Sequence, residues 1–190
     1  MRPVRRRIVI ICDDTETAVA YFEVLKQEVE KTVILDVRRA CRHGATPTQL
    51  WQQAGEAAIE IGDPDEGDAI WVLLDLEADN SRRREAAAIK EKSQNHGVIK
   101  VALSDPCFEV WTLAHFADTG GAVHDCATIT ARVKKEWQRH FKETISKKSQ
   151  ADYAKLSPLR PRAISNAQKH HQRGDPSYTE IYIVVDHILK

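Results

Sequence analysis

No long apolar run is present in this sequence, and that absence argues against a membrane-spanning helix. A helix that crosses a bilayer needs about 18 or more consecutive apolar residues, and no run here approaches that length. The basic N-terminus, residues 1–7, is followed only by a short apolar block at residues 8–12. This block is too short for the apolar region of a signal peptide. We therefore expect a cytoplasmic protein without membrane association.

Cysteine is scarce, and its spacing is unlike that of a zinc site. The four cysteines, Cys12, Cys41, Cys107 and Cys126, contain no Cys-x-x-Cys pair, and the eight histidines show no ligand-type spacing either. In a cytoplasmic protein this pattern disfavours both a zinc site and disulfide bonds. A P-loop and the glycine-rich dinucleotide fingerprint are also missing. The sequence thus offers no short motif for these common cofactors.

Charge is balanced over the whole chain but strongly polarised along it. The chain has 28 basic and 28 acidic residues, yet residues 131–173 carry twelve Lys or Arg against three Asp or Glu. Two interpretations of this basic segment stay open: a solvated helical face, or a surface that binds phosphates or an acidic partner. For the second interpretation the candidate nucleic-acid-binding residues are Lys134, Lys135 and Arg139.

The first hundred residues alternate between apolar β-branched runs and segments of helical periodicity. Strands are predicted at residues 8–12, 32–37, 69–74 and 99–103, and helices at 15–31, 47–61 and about 80–95. Thr46 with Pro47 is expected to begin the second helix, and Asn80 or Ser81 to cap the third. Such alternation predicts a parallel sheet with right-handed crossovers in a three-layer α/β fold.

The pattern becomes helical after residue 103. Asp105-Pro106 is expected to open a helix at 107–116, and further helices are predicted at 126–141, 157–171 and 179–189. We therefore expect an α/β core at residues 1–105 and a helical cap at 106–190 that contains the basic segment. The two parts are expected to pack as one compact unit.

Acidic residues directly follow two of the predicted strands. Asp13 follows the first strand, while Asp75 and Glu77 follow the third and lie on the same side of the chain by their period-two spacing. Ligands of open parallel sheets bind beyond the carboxyl ends of the strands. If the two strands are neighbours, the three carboxylates converge and repel one another unless a cation is present. All-oxygen ligation is what Mg²⁺ prefers, and such a site suits phosphodiester chemistry.

A simpler role for these acids is to cap the helices that follow the strands. Asp13, Asp14 or Thr15 could serve as the N-cap of the first helix. Glu109 lies in the first turn of a predicted helix, where the helix dipole favours a carboxylate. It also follows the fourth strand, which would let it face the same cleft. Both roles stay open for each of these residues.

Four blocks of the sequence carry a family resemblance. They are the strand ending in Cys12 with Tyr21-Phe22 after it, the strand running into Asp75-Leu76-Glu77, the block Ser104-Asp-Pro-Cys-Phe-Glu-Val-Trp111 continuing to Leu113-Ala-His-Phe116, and the block Asp175-Pro-Ser-Tyr-Thr-Glu-Ile-Tyr182. Over its whole length the chain resembles the RloB-like family, whose core is similar to Toprim domains. The resemblance implies a Toprim-like α/β core with an appended C-terminal helical region.

This resemblance also implies an activity and its residues. In Toprim enzymes a glutamate after the first strand and an Asp-x-Asp after the third bind Mg²⁺ and support phosphodiester cleavage. By that likeness Asp13 is the general base or acid and a metal ligand, and Asp75 and Glu77 are metal ligands. Glu109 is expected to be a fourth catalytic acid because of its position after the fourth strand. Mn²⁺ is an alternative to Mg²⁺. The implied partners are nucleic acid and an OLD-like ABC/AAA ATPase encoded nearby in phage-defence or abortive-infection loci.

The sequence departs from the family pattern at the acids themselves. Family members typically have Cys-Glu-Gly-Glu after the first strand, whereas this chain has Cys12-Asp13-Asp14-Thr15, and Asp75-Leu76-Glu77 replaces Asp-x-Asp. The favoured expectation is a Mg²⁺-dependent nuclease that cleaves DNA or RNA in antiviral defence. The alternative is a catalytically degraded effector or adaptor that binds nucleic acid, a nucleotide or the ATPase. The sequence leaves open whether the chain forms homo-oligomers.

Overall fold

The computed structural model describes residues 5–13, 16–42, 44–61, 64–65, 67–77, 79–118 and 125–190. The strands are β1 (Arg6–Cys12), β2 (Val33–Arg39), β3 (Ala69–Asp75), β4 (Ile99–Asp105) and β5 (Tyr178–Thr179). The helices are α1 (Thr17–Val29), α2 (Pro47–Ile61), α3 (Asn80–Gln94), α4 (Glu109–Ala114), α5 (Cys126–Phe141), α6 (Gln150–Ala154), α7 (Arg160–Arg173) and α8 (Ile181–Leu189). A 3₁₀ turn, Ser157–Leu159, precedes α7. Among the described residues, no helix combines the length and apolar character needed to cross a membrane.

The five strands form one sheet in the order β2-β1-β3-β4-β5. The first four strands pair in parallel, and the register places Ile8 opposite Ala69 and Cys12 opposite Leu73. Strand β5 pairs antiparallel with β4. The predicted α/β class is confirmed, and β1 and β3 are neighbours, which brings the residues that follow them to the same edge. The arrangement is consistent with a Toprim-like core.

Both faces of the central strands are buried, because alternate residues of β1 and β3 enter two different hydrophobic clusters. Ile8 and Ile10 of β1 belong to the cluster that includes α1, α4, α7 and α8. Val9 and Ile11 of the same strand face the cluster that includes α2 and α3. A sheet covered by helices on both sides explains why its strands are continuous apolar runs rather than alternating ones.

Most helix boundaries follow local signals, and the exceptions have local causes. Thr46 and Gln49 form a reciprocal cap, in which each backbone N–H donates to the other side chain at 3.3 and 3.0 Å, so α2 begins as predicted. The cap of α3 is Asp79, which accepts hydrogen bonds from the N–H groups of Ser81 and Arg82, and the expectation of Asn80 or Ser81 was wrong. Asp14 and Thr15 lie outside the described residues.

Asp105 and Pro106 do not open a helix. Asp105 is the last residue of β4, its peptide bond to Pro106 is cis, and α4 begins only at Glu109. The residue before a proline favours extended backbone, so the strand continues through Asp105. The predicted helical start at this position was therefore wrong.

The C-terminal region contributes a strand as well as helices. Residues 178–179, predicted as a turn and the start of a helix, form β5 beside β4, with Ser104 Oγ 2.9 Å from Thr179 Oγ1. The carboxylate of Glu180 accepts hydrogen bonds from the N–H of Leu103 at 2.9 Å and from Lys90 Nζ at 2.7 Å. The fourth family block thus joins the end of the chain to the core sheet.

Cys107 and Cys126 are bonded as a disulfide, with their Cα atoms 5.8 Å apart. The expectation that this chain lacks disulfides was wrong for this pair. Cys126 lies nineteen positions after Cys107 in the sequence, but α5 packs against α4 and brings the two together. Spacing along the chain carries no information about such a contact. Cys12 is buried and unbridged, and Cys41 is exposed and unbridged.

Candidate active site

Asp13 and Asp75 lie next to each other at the carboxyl edge of the sheet. The backbone N–H of Asp13 donates to Leu73 O at 3.3 Å, which continues the β1–β3 pairing one residue past β1. The backbone N–H of Asp75 donates to Asp13 Oδ2 at 3.3 Å. The structure therefore brings together the two acids that the sequence placed after neighbouring strands.

Glu77 is exposed and lies in a turn beside these two acids. Its backbone has a φ of 48°, in the left-handed region that L residues seldom adopt, and its N–H donates to Pro106 O at 2.8 Å. The turn is thereby fixed against the segment that follows β4. Its negatively charged carboxylate is close enough to Asp13 to raise the pKa of that residue.

Arg82 of α3 forms an ion pair with Asp13 Oδ2. The same guanidinium donates to Asp75 O through Nε at 2.7 Å and to Ala45 O through Nη1 at 3.1 Å. Both partners are largely buried, with 16% of the Arg82 and 11% of the Asp13 side chain exposed. Arg82 thus places a fixed positive charge between the ends of β1 and β3.

Burial is the largest influence on the pKa of Asp13 and raises it above its ordinary value of 3.8. The charge and hydrogen bond of Arg82 and the N–H of Asp75 act in the opposite direction, and the negative charge of Glu77 raises the pKa further. The net direction is upward, so the site holds Asp13 closer to its protonated form than water does.

A second arginine of α3 makes a parallel contact with the end of β4. Arg83 Nη2 donates to Asp105 Oδ1 at 2.7 Å and to Glu77 O at 2.7 Å. The Asp105 side chain is 8% exposed, and the hydrogen bonds to this carboxylate raise the pKa of Arg83. Asp105 is therefore an additional acid of the carboxyl edge, held there by its own arginine.

Sequence reasoning missed these arginines, although the sequence carries a signal for them. Arg82, Arg83 and Arg84 lie in the first turns of α3, three to five positions after its N-cap, Asp79. Positive side chains are unfavourable near a helix N-terminus, because the helix dipole is positive there. Consecutive arginines at such a position, shortly after Asp75-Leu76-Glu77, indicate that nearby acids compensate them.

Glu109 belongs to a different cluster from Asp13 and Asp75. Its buried carboxylate forms an ion pair with Lys147 through Oε1, accepts from Thr17 Oγ1 at 3.4 Å, and lies 3.6 Å from Cys126 Sγ through Oε2. Within the described ranges, the group of three metal-ligating side chains whose ligand atoms all lie within 4.8 Å of one another is Cys107, Glu109 and Cys126. The structure does not draw Asp13, Asp75 and Glu77 together that closely.

The chemistry of the carboxyl edge nevertheless fits a magnesium ion. Mg²⁺ is usually held by one or two carboxylates together with water and substrate phosphates, and Asp13 and Asp75 supply two carboxylates at adjacent strand ends. The contacts of Asp13 to Arg82 and to the Asp75 N–H both use Oδ2. Its Oδ1 makes no hydrogen bond to any residue that the structure describes.

The proposed nucleic-acid-binding residues lie on the outer face of α5. Ile129, Val133 and Trp137 form its buried face, whereas Lys134, Lys135 and Arg139 are exposed. Arg139 is 3.8 Å from Glu136, and neither lysine has an ion pair with a described residue. The two lysines therefore offer positive charge that the described part of the chain does not neutralise.

Part of the basic segment is occupied by internal ion pairs. Lys147 pairs with Glu109, and Lys148 pairs with Glu16 at 2.8 Å, so the segment between α5 and α6 reaches the carboxyl side of the sheet. A cavity of about 190 Å³ lies there, lined by Glu16, Arg39, Lys148 and Gln150, with Val19 and Ala20. The net positive charge of this segment is therefore smaller at the surface than in the sequence.

His115 is a core residue. Its Nδ1 is 2.9 Å from Trp111 O, and burial lowers its pKa from 6.5 to about 3. The ring is therefore neutral at physiological pH and packs against Trp111 and Tyr21. His115 is therefore assigned a structural role.

The fold and this edge together define the class: an α/β protein with a mostly parallel sheet and carboxylates following adjacent central strands. The family model described as RloB-like protein matches residues 8–188. The chain therefore belongs to the RloB-like family. No curated protein and no solved structure matches it.

Proposed function

We propose that this protein is a Mg²⁺-dependent nuclease of the RloB type, which cleaves phosphodiester bonds of DNA or RNA in antiviral defence. The observation that carries the proposal is the contact between Asp13 Oδ2 and the backbone N–H of Asp75 at the ends of neighbouring strands. Two acids held at adjacent strand ends match the arrangement that family resemblance implies for Toprim-like enzymes.

In this proposal each acid has a separate task. Asp13 and Asp75 hold the ion, with Glu77 as a further ligand from the turn, and Mn²⁺ is an alternative to Mg²⁺. A bound Mg²⁺ neutralises phosphate charge and activates water. Burial raises the pKa of Asp13, which suits a carboxyl group that accepts or donates a proton at the scissile bond. Glu109 takes no direct part, because its contacts are to Lys147, Thr17 and Cys126.

Arg82 and the exposed lysines of α5 supply the positive charge that a polyanionic substrate requires. Arg82 lies against Asp13 and so adds positive charge beside the proposed metal ligands. Lys134 and Lys135 add separate, exposed positive charge on α5. The OLD-like ATPase that accompanies relatives of this kind is the proposed protein partner.

The decisive experiment is a cleavage assay with matched variants. Purified protein, with and without the neighbouring ATPase, is incubated with single- and double-stranded DNA and RNA in Mg²⁺, Mn²⁺ or EDTA. We expect metal-dependent cleavage that Asp75→Ala abolishes and that Glu91→Gln, at an exposed position on α3, retains. Unchanged circular dichroism of Asp75→Ala would show that the loss is chemical. Cleavage by Asp75→Ala at the wild-type rate would contradict the proposal.

The Arg82–Asp13 ion pair favours a second candidate function, a nucleic-acid-binding adaptor without catalysis. A guanidinium already neutralises Asp13, so a cation at this place has to compete with it. An adaptor would bind nucleic acid or the ATPase equally well with and without divalent ions and with Asp75→Ala. If no substrate is cut with any divalent ion when the ATPase is supplied, the adaptor becomes the better description.

A further inference from the structure

The cluster of Cys107, Glu109 and Cys126 combines two sulfurs and a carboxylate at the junction of α4 and α5. Their ligand atoms all lie within 4.8 Å of one another. Cys107 is 3% exposed, Glu109 is 6% exposed, and Cys126 is half-buried. A set of two cysteines and one acidic residue is a ligand set for Zn²⁺, which binds thiolate, imidazole and carboxylate in tetrahedral geometry.

The two oxygens of Glu109 have different surroundings. Oε1 accepts hydrogen bonds from Lys147 Nζ and Thr17 Oγ1, whereas Oε2 lies 3.6 Å from Cys126 Sγ. Oε2 therefore faces Cys126 Sγ, and a Glu109 carboxylate oxygen lies within 4.8 Å of both sulfurs. Lys147 and Thr17 orient the carboxylate from behind, which is the arrangement that outer partners of metal ligands commonly make.

We propose that Cys107, Glu109 and Cys126 form a zinc site when the chain is reduced, and that the disulfide and the metal-bound form exclude each other. The site is separate from Asp13 and Asp75 and does not depend on the nuclease proposal. Two sulfurs bound at about 2.3 Å to a tetrahedral ion lie about 3.8 Å apart, a distance that two thiolates can adopt across a Cα separation of 5.8 Å. Water occupies the fourth position.

The disulfide is converted to the zinc-bound form in two steps, reduction and metal binding. A dithiol reductant supplies two electrons and two protons, is itself oxidised to a disulfide, and converts the Cys107–Cys126 bond into two thiols. Zn²⁺ then binds as the two thiols release their protons to water. Two thiolates and the Glu109 carboxylate offset the charges of Zn²⁺ and Lys147, so the loaded cluster is neutral. Neutrality matters because an uncompensated charge at a buried site is costly.

Both the disulfide and the proposed zinc site would hold α5 against the end of β4. Cys126 is the first residue of α5, and Cys107 follows β4 by two residues. Helix α5 also carries Lys134 and Lys135, so the cluster fixes the proposed nucleic-acid-binding helix on the core. A reduced, metal-free chain would lose this connection and keep only the packing of α4 on α5.

The test uses Co²⁺ as a spectroscopic probe in the full-length protein. Protein reduced with a phosphine under inert gas is expected to give a thiolate-to-cobalt charge-transfer band that saturates at one Co²⁺ per chain, with the intense visible absorption of tetrahedral Co²⁺. Zn²⁺ should displace it. An oxygen-only site at Asp13 and Asp75 would not give the thiolate band. The unreduced, disulfide-bonded protein should not give it either, which provides a control with an identical sequence.

Variants assign the band to particular residues. Cys107→Ser and Cys126→Ser should each remove it, Glu109→Gln should weaken Co²⁺ affinity by about tenfold or more, and Cys41→Ser should leave it unchanged. The proposal is overturned if reduced wild-type protein lacks the band. It is also overturned if the band persists in both Cys107→Ser and Cys126→Ser. Because the reduced and oxidised wild-type proteins are compared directly, a variant that fails to fold does not leave the question open.

Discussion

Arg82, on the first turn of α3, forms an ion pair with Asp13, which lies 69 residues earlier at the end of β1. The guanidinium also donates to the main chain at Asp75. One side chain thus joins the ends of the two central strands and partly compensates the charge of their acids. Substitutions in this pair test both the electrostatics of the site and its proposed chemistry.

Asp13→Asn is expected to change the pH dependence of stability in a definite direction. Because burial raises the pKa of Asp13 above 3.8, the folded state holds its proton more tightly than the unfolded state does. The contribution of Asp13 to the free energy of unfolding is therefore greatest below pH 3.8 and is lost as the pH rises through the folded-state pKa. The stability of Asp13→Asn relative to wild type should increase from pH 3 toward neutrality, as measured by urea denaturation at each pH.

Asp79→Asn is the matched control for that experiment, because its shift has the opposite sign. Hydrogen bonds from the N–H groups of Arg82 and Ser81 lower the pKa of Asp79. The stability of Asp79→Asn relative to wild type should therefore fall as the pH rises through the acidic range. Parallel responses of the two variants would contradict the assignment for Asp13.

Reversing charge at Lys134 and Lys135 tests the nucleic-acid surface on α5. If these lysines contact phosphates, Lys134→Glu/Lys135→Glu should weaken binding for all sequences alike. For duplex DNA the slope of log affinity against log salt should become shallower by about 0.9 for each lost contact. The measurement is a salt titration by fluorescence anisotropy. Arg139 is kept, because its reversal would also disturb its ion pair with Glu136.

The control for this surface is Lys31→Glu/Lys92→Glu, which makes the same change in net charge at exposed positions elsewhere. It should shift affinity less and leave the salt slope unchanged. Equal effects of the two double variants would show that only overall charge matters. No effect of either would support a solvated helical face on α5.

Arg160 joins α7 to α1 and should contribute measurably to stability. Its Nη1 is 2.8 Å from Glu28 Oε2, and its Nε donates to Tyr21 Oη at 3.3 Å. Arg160→Met should lower the free energy of unfolding by about 1.5–3 kcal/mol, the range for hydrogen bonds to charged groups. Arg162→Met, at an exposed position two residues later, should change it by less than about 0.5 kcal/mol. Thermal or urea unfolding measures both, and equal losses would contradict this role for Arg160.

Local patterns in the sequence were sufficient for the architecture of the core. Buried strands are visible as β-branched runs and helices as a period of about 3.6, so the alternation of β1 to β4 with α1 to α3 was predictable. At Thr46, whose capping role was recognised, the helix begins at the predicted residue. The neighbouring positions of Asp13 and Asp75 also followed, because the carboxyl ends of adjacent parallel strands share one edge. The nuclease activity itself stays a prediction.

Only the tertiary structure decided which residues far apart in the chain are in contact. The Arg82–Asp13 pair, the Cys107–Cys126 bond and the pairing of Thr179 with Ser104 each join segments whose pairing no local signal specifies. Glu109 illustrates the limit most clearly: its position after β4 was readable, but its partners come from the start of α1, the N-terminus of α5 and the segment before α6. Helix propensity and strand periodicity describe neighbours along the chain, whereas packing selects neighbours in space, and packing gave Glu109 contacts that no sequence pattern indicated.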